Sequence, residues 1–304
     1  MIEVNPNVAV VIISGNAVAM PWVNDVKSVV YGWYGGSEAG RAVADVLFGD
    51  VNPSGKLPFS FPVKLSDSPA HSFDAMSYPG DGIKQEYKED ILVGYRWYDT
   101  KKIPTTFAFG HGLSYTSFEY GKAVASAKKM TADDKLEIAV KVKNTGDVAG
   151  KEVVELYIAP KTEGVFRPVR ELRGFEKVFV PAGESRSATC HIPLSSLSYY
   201  IDGRWQLENG QYTVEICSDA NTPILSAPLN ISEGGEISAN AAYSQLYGRS
   251  KEDFLAMSDS DFDGFIGREI PTPKISRPYD LNTPMREYKT FGGKLLFGAI
   301  NLAF

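Results

Sequence analysis

Of the carboxylates that could do chemistry in this sequence, three cluster in one stretch. Glu86, Glu89 and Asp90 stand just ahead of Val93-Gly94-Tyr95-Arg96 in a loop-like segment. Neighbouring carboxyl groups can serve as acid and base, but an arginine beside them more often neutralises one as a buried ion pair. Arg96 is read that way, ahead of a contact with substrate. Other acidic residues have structural uses at hand. Glu38 falls in the first turn of a helix, where it complements the positive end. Asp45 sits within that helix and Asp50 just beyond it, a usual place for turn or cap hydrogen bonding. The turn Gly35-Gly36-Ser37 could hold an anion, yet it lacks the Lys-Ser/Thr ending of a phosphate loop and the Gly-x-Gly-x-x-Gly spacing of a dinucleotide site. His71, His111 and His191 are widely separated, with no paired spacing for a metal and no Ser or Cys nucleophile set around them. Cys190 and Cys217 lie in strand-like runs without zinc or redox spacing and read as buried free thiols. No cofactor and no metal are implied.

These residues need elements to hold them. Val8-Ala9-Val10-Val11-Ile12-Ile13-Ser14 is a continuous run dominated by β-branched residues, the pattern of a strand buried on both faces of a parallel sheet. A short helical pattern follows Pro21, then a second run from Ser28 to Tyr34. Ala39, Val43, Val46 and Leu47 recur at helical spacing, with Ser37 as N-cap and Gly49 as the stop. This succession implies an α/β layer. Residues 52–120 are rich in Pro, Gly and aromatics and read as irregular structure wrapped on that layer. Phe59, Phe61, Tyr78, Tyr87, Tyr95, Trp97, Tyr98, Phe107, Phe109, Tyr115 and Phe118 are taken as packing groups rather than a sugar-stacking platform.

From Leu136 the period becomes two, with Leu136, Ile138, Val140 and Val142 on one face. Further strand runs are Val153 to Ile158, Phe175 to Val180, Ser187 to Ile192, Arg204 to Leu207, Tyr212 to Cys217 and Ile224 to Ile231. The turns between them include Pro181-Ala182-Gly183-Glu184, Asp202-Gly203 and Asn209-Gly210. Seven short strands in about 100 residues fit an immunoglobulin-like or fibronectin type III-like sandwich. After Ser232 the sequence turns polar, with short helical stretches near Lys251 to Ala256 and Asp261 to Ile266. Pro271, Pro273 and Pro278 then impose an extended course. The fold class is therefore α/β plus all-β. A partial α/β sandwich layer spans 1–120, a fibronectin III-like β-sandwich 121–232, and a C-terminal extension 233–304.

The chain has 304 residues, 43% of them hydrophobic and 22% charged, which suits a folded chain of more than one domain. Its net charge of −6 argues against nucleic acid and anionic lipid as partners. The start lacks a basic n-region and a cleavage site of small residues. The apolar C-terminus from Leu295 to Phe304 is shorter than the ~20 residues of a membrane helix. A cytoplasmic location is expected.

Three separated motifs resemble glycoside hydrolase family three, of the β-glucosidase type. The first runs from Trp33-Tyr34-Gly35-Gly36-Ser37-Glu38-Ala39-Gly40 to Phe48-Gly49-Asp50-Val51-Asn52-Pro53-Ser54-Gly55-Lys56-Leu57-Pro58, with Gly35 where that family more often has Pro. The second is Val93-Gly94-Tyr95-Arg96-Trp97-Tyr98-Asp99 with Phe107-Ala108-Phe109-Gly110-His111-Gly112-Leu113-Ser114-Tyr115-Thr116. The third joins Val142-Lys143-Asn144-Thr145-Gly146-Asp147 and Gly150-Lys151-Glu152-Val153-Val154 to Leu172-Arg173-Gly174-Phe175, and is similar to the family's fibronectin-like domain. In the tail, Gly267-Arg268 and Asn282-Thr283 resemble an extension found in some bacterial members.

The resemblance implies an enzyme that hydrolyses O-glycosyl bonds with two carboxyl groups roughly 5 to 5.5 Å apart. It also implies that this chain lacks both. The nucleophile is an aspartate on a barrel and the acid/base commonly a glutamate in a loop of the α/β sandwich, and both precede the strand matched here by Val8 to Ser14. No residue of this chain is therefore assigned a catalytic role. Glu89, Arg96 and His111 are the substrate-proximal candidates, expected to shape the barrel-facing side of the α/β domain. The implied partner is the missing barrel, in the same chain or a separate one, with glycoside bound only in its presence. The rival reading is a non-catalytic carbohydrate-binding or adhesion module.

Overall fold

A computed structural model describes residues 2–80, 84–126, 129–130, 134–161, 165–201, 203–232 and 245–266, with residues 292 and 295. The turn residue Asp202, the proline run from Pro271 to Pro278 and the patches at Gly267-Arg268 and Asn282-Thr283 lie outside the described residues, as does the apolar C-terminus apart from Leu295.

The N-terminal layer begins with β1 (Ala9–Ile12) and β2 (Ser28–Tyr31), paired in parallel with Ala9 opposite Ser28. A 3-10 turn at Val23–Asp25 lies in the connection, and helix α1 (Ala39–Phe48) follows. Ser37 does not cap α1. It lies inside a 3-10 turn, Gly36–Glu38, that leads into the helix, and Glu38 takes the cap position without a side-chain bond. Gly49 does end it, in the left-handed conformation that costs glycine no steric penalty.

The burial expected of Val8 to Ser14 is not met. Residues along β1 alternate between exposed and half-buried, and no residue of α1 is buried. A parallel strand is covered on both faces only when further strands flank it and helices lie above and below. Among the described residues this sheet has two strands.

Two small elements, β3 (Phe61–Pro62) and β4 (Thr105–Phe107), pair within the aromatic segment, and helix α2 (Pro69–Ser72) is a single turn. Helix α3 (Tyr95–Lys101) stands where irregular structure was expected. Tyr95, Trp97, Tyr98 and Lys101 are buried in it, and its polar face of Arg96, Asp99 and Thr100 is one turn long, too short to give a helical period away. Of the aromatics read as packing groups, Phe61, Tyr95, Trp97 and Tyr98 are buried, while Tyr78, Tyr87 and Tyr115 are exposed.

The sandwich follows with β5 (Phe118–Ala125), β6 (Lys129–Met130), β7 (Lys135–Asn144), β8 (Gly150–Pro160), β9 (Glu171–Val180), β10 (Ser185–Pro193), β11 (Tyr199–Ile201), β12 (Arg204–Gln206), β13 (Gly210–Asp219) and β14 (Thr222–Ile231). Sheet order is β10-β7-β5 on one side and β6-β14-β13-β8-β9 on the other, with β11 and β12 a separate hairpin. Leu136, Ile138, Val140 and Val142 from β7 meet Val154, Leu156 and Ile158 from β8 and Tyr212, Val214 and Ile216 from β13 in one core. Cys190 and Cys217 are free and buried.

Helices Lys251–Leu255 and Asp259–Ile266 pack back on the α/β part. Leu246, Tyr247, Phe254, Met257 and Phe262 close a second core over Leu92, Trp97, Tyr98 and Ile103.

Candidate functional site

The two glycine-rich motifs of the α/β part meet each other and the sandwich in one place. Beyond Gly49 the chain runs extended, and Asn52 joins three segments. Its Nδ2 donates to the Ala149 carbonyl (3.0 Å), and its Oδ1 accepts from Ser114 Oγ (3.0 Å) and the Tyr115 amide (2.8 Å). Lys56 Nζ donates to the Gly112 carbonyl (2.9 Å) and lies 3.2 Å from Glu152 Oε1. The Leu57 amide donates to His111 O (2.9 Å), and the Gly110 amide donates to Leu57 O (2.7 Å). Lys177 Nζ of β9 donates to Ser54 O (2.8 Å). Glycine is required where these backbones cross: a Cβ on Gly112 would strike the Gly55 carbonyl, and one on Gly110, at φ 81°, would strike the Glu155 carboxylate.

Beneath this clasp lies a charged junction. Glu155 is buried, accepts from Tyr157 Oη (2.7 Å), and has its pKa pushed up to about 7 by desolvation. Burial likewise drives the Tyr157 hydroxyl well above the usual tyrosine range. Arg170 spans the domains: Nε donates to Asp99 Oδ2 (2.9 Å), one terminal nitrogen donates to Glu215 Oε2 (3.0 Å), the other to the Ala220 carbonyl. Burial raises Asp99 even against Arg170. A cleft of about 480 Å³ opens beside them, lined by Tyr98, Asp99, Lys102, Arg170, Glu215 and Asn221. Its two carboxylates are tied to the same guanidinium, an arrangement that holds domains together and leaves neither free as acid or nucleophile.

The residues singled out in the sequence go to separate neighbourhoods. Arg96 does not pair with Glu86, Glu89 or Asp90. Its Nε donates to Glu171 Oε1 of β9 (3.2 Å), because α3 turns that side chain toward the sandwich. His111 stacks on Phe107 (ring centroids 5.0 Å apart) and brings Nδ1 to 3.5 Å from Asp219 Oδ2, so it too serves the junction. Glu89 is buried and its pKa is raised by desolvation. Its neighbour Lys88, not singled out from the sequence, is fully buried between Asp74 Oδ2 (2.7 Å) and Asp259 Oδ1 (2.6 Å), with Glu86 Oε2 at 3.5 Å. A second buried lysine, Lys101, donates to the carbonyls of Tyr247 (2.7 Å) and Arg249 (3.0 Å) and sits 4.0 Å from the Phe254 ring centre. Desolvation lowers its pKa to about 8. Both lysines fasten the C-terminal helices. Nothing in sequence spacing marks either, since their partners lie up to 171 residues away.

Among the described residues no group of three His, Cys, Asp or Glu side chains is arranged to hold a metal ion, and no helix is long and apolar enough to cross a membrane.

Residues 1–115 match the glycosyl hydrolase family 3 C-terminal domain, and residues 152–220 a fibronectin type III-like domain. The chain is 52% identical over 223 residues to β-glucosidase BoGH3A of Bacteroides ovatus, covering 73% of this chain and 30% of that protein. It is 43% identical over 231 residues to thermostable β-glucosidase B of Acetivibrio thermocellus, covering 75% and 30%. Among solved structures it resembles a β-glucosidase from Kluyveromyces marxianus (TM-score 0.72, 39% identity, 78% of this chain and 28% of that one). It also resembles β-glucosidase 3B from Thermotoga neapolitana in complex with glucose (TM-score 0.70, 36% identity, 78% and 33%). The chain thus spans about 30% of the length of the curated relatives it matches. With both domains matched in order, and the clasp between them built from the shared motifs, the chain belongs to glycosyl hydrolase family 3 as its C-terminal part.

Proposed function

We propose that this chain completes and braces the active site of a β-glucosidase-type glycoside hydrolase whose catalytic carboxylates lie in a barrel outside it, and that it does not turn over glycosides alone. The observation that supports this reading most is the unfinished N-terminal layer in a chain spanning 30% of its relatives: two parallel strands and a helix with no buried residue. The chain's own chemistry suits a brace. Glu155 and Asp219 are buried at the junction and Asp99, Arg170 and Glu215 half-buried there, and the pairs Arg170–Asp99 and Asp219–His111 hold the two domains in register. A scaffold fixed in this way can position active-site loops without contributing an acid or a nucleophile. The barrel is the partner, in the same chain or in a second one, and a glycoside binds only with it.

Hydrolysis of a panel of aryl glycosides tests this, with the chain purified alone and after co-expression with the barrel half of a family relative. The expected result is no turnover alone and turnover on co-expression. Turnover by the chain alone would sink the proposal. The rival module reading draws on Tyr200 and Trp205, which pair across the β11–β12 hairpin (ring centroids 5.6 Å apart) and are both exposed. Oligosaccharide binding by the isolated chain that disappears in Trp205→Ala would favour it.

A further inference from the structure

Strands β8 and β9 are neighbours in the sandwich, and their outward faces have different fates. On β8, Val153, Glu155 and Tyr157 point outward and are buried, because the clasp loops of the α/β part lie over them. On β9, the direct partners on the same face are Lys177 opposite Val153, Phe175 opposite Glu155 and Phe179 opposite Lys151. The cover stops one strand short. Lys177 reaches back to Ser54 O, while Phe175 is 66% exposed and Phe179 54% exposed. Strand β9 is also the edge of its sheet, where exposed aromatics are a hazard unless something covers them.

The clasp joins this ledge to the N-terminal layer through Ser54 and Asn52. Phe179 lies opposite Lys151, at the end of β8 where Ala149 is held by Asn52. The residue before Asn52 is Val51, which is exposed, and Phe48, at the end of α1, is 84% exposed. Exposed apolar side chains thus stand on both sides of the clasp, Leu47, Phe48 and Val51 ahead of Asn52 and Phe179 and Phe175 on β9, with Lys151 and Lys177 on the sandwich side. Exposed apolar patches mark protein contacts. Of the candidate occupants, the missing N-terminal part of the enzyme has the strongest support. The clasp bonds Lys177–Ser54 and Asn52–Ala149 tie β9 and the start of β8 to the layer that has two strands among the described residues, and the chain spans only 30% of its relatives.

We infer that the fibronectin-like domain is itself a docking surface for the missing N-terminal part, which seats an apolar patch with acidic margins on Phe175 and Phe179. The inference rests on the reading of the chain as a C-terminal part. It adds that the sandwich touches the absent part directly instead of through the α/β layer alone.

Co-purification tests it. The chain is co-expressed with a tagged N-terminal part from a family relative, as wild type, as the double variant F175S/F179S, and as Trp205→Ala, which alters an exposed aromatic away from the ledge. The expected result is that wild type and Trp205→Ala co-purify equally, while F175S/F179S is recovered at least tenfold less, with its own melting curve unchanged. Equal recovery of F175S/F179S overturns the inference and leaves the proposed function standing. No recovery of wild type removes both. Sedimentation of the chain alone covers the remaining occupant: self-association that is lost in F175S/F179S would assign the ledge to a second copy and overturn the inference.

Discussion

Glu155 is a carboxylate kept where charge is unwelcome. Its pKa of about 7, against an ordinary 4.5, arises first from desolvation, with Asp219 and Glu152 adding to it and Tyr157 and Lys56 working against it. The folded state then binds more protons than the unfolded one between pH 4.5 and 7. Stability therefore rises as pH falls through that window, and the penalty is fully present above pH 7. A shift of this size corresponds to about 3 kcal/mol as an upper bound. Glu155→Gln keeps an acceptor for Tyr157 and removes the charge. Urea denaturation should show the variant more stable than wild type at pH 8, by about 1–3 kcal/mol, with the difference closing toward pH 5. A constant difference across that range would mean the carboxyl is not titrating there. The acid cluster Glu86, Glu89 and Asp90 drew notice in the sequence because charges near an arginine are conspicuous. Glu155 drew none, because a Glu in a largely apolar strand gives no hint of which loop will lie over it.

At the level of elements, the sandwich was legible and the layer beside it only partly so. β7 shows why: Leu136, Ile138, Val140 and Val142 alternate with polar residues and are buried as that alternation requires. α3 escaped notice because its seven residues are too few for a period, and its buried aromatics Tyr95, Trp97 and Tyr98 sit in a segment dense with aromatics throughout. β1 was legible as a strand, and its pattern describes a fuller sheet than these two strands make. That mismatch carries a prediction. Amide hydrogen exchange should be fast at Ala9–Ile12 and Ser28–Tyr31 and slow in β7, β8 and β13, by a factor of about 100 or more, since local opening follows the contacts that oppose it. Co-expression with the N-terminal part should slow β1 and β2 selectively. Protection of β1 equal to that of β8 in the chain alone would show that the layer is complete without further strands.

In the whole molecule, the sandwich core and the core over α3 are joined by bonds that ignore chain order. The helices Lys251–Leu255 and Asp259–Ile266, with the residues just ahead of and between them, lie outside both matched domains, yet this segment supplies Phe254, Met257 and Phe262 to the core over α3 and holds Lys88 and Lys101. Deleting residues 233–304 should expose Trp97 and Tyr98 and leave Lys88 without Asp259. Each large apolar side chain lost from the core removes about 1.5–3 kcal/mol of burial. A melting temperature lower by about 10 °C is expected, with a red-shifted Trp97 emission. An unchanged melt would show that the extension is decoration. The tail's helical stretches were visible in the sequence, but the surface they cover was not, because it depends on two lysines that look like ordinary solvent-facing charges.

The clasp also sets a timetable for synthesis. Asn52 waits for a carbonyl 97 residues further on, and Ser54 for a lysine 123 residues further on. At ~5–20 residues per second, a ribosome needs roughly 5 to 25 s to deliver them. For that interval the N-terminal strands have left the tunnel with nothing of the sandwich to hold. Slowing translation between residues 60 and 150 would lengthen the time in which those apolar strands meet chaperones, proteases or one another. Soluble yield in the cell would then depend on codon choice in a stretch of gene far from the residues at risk.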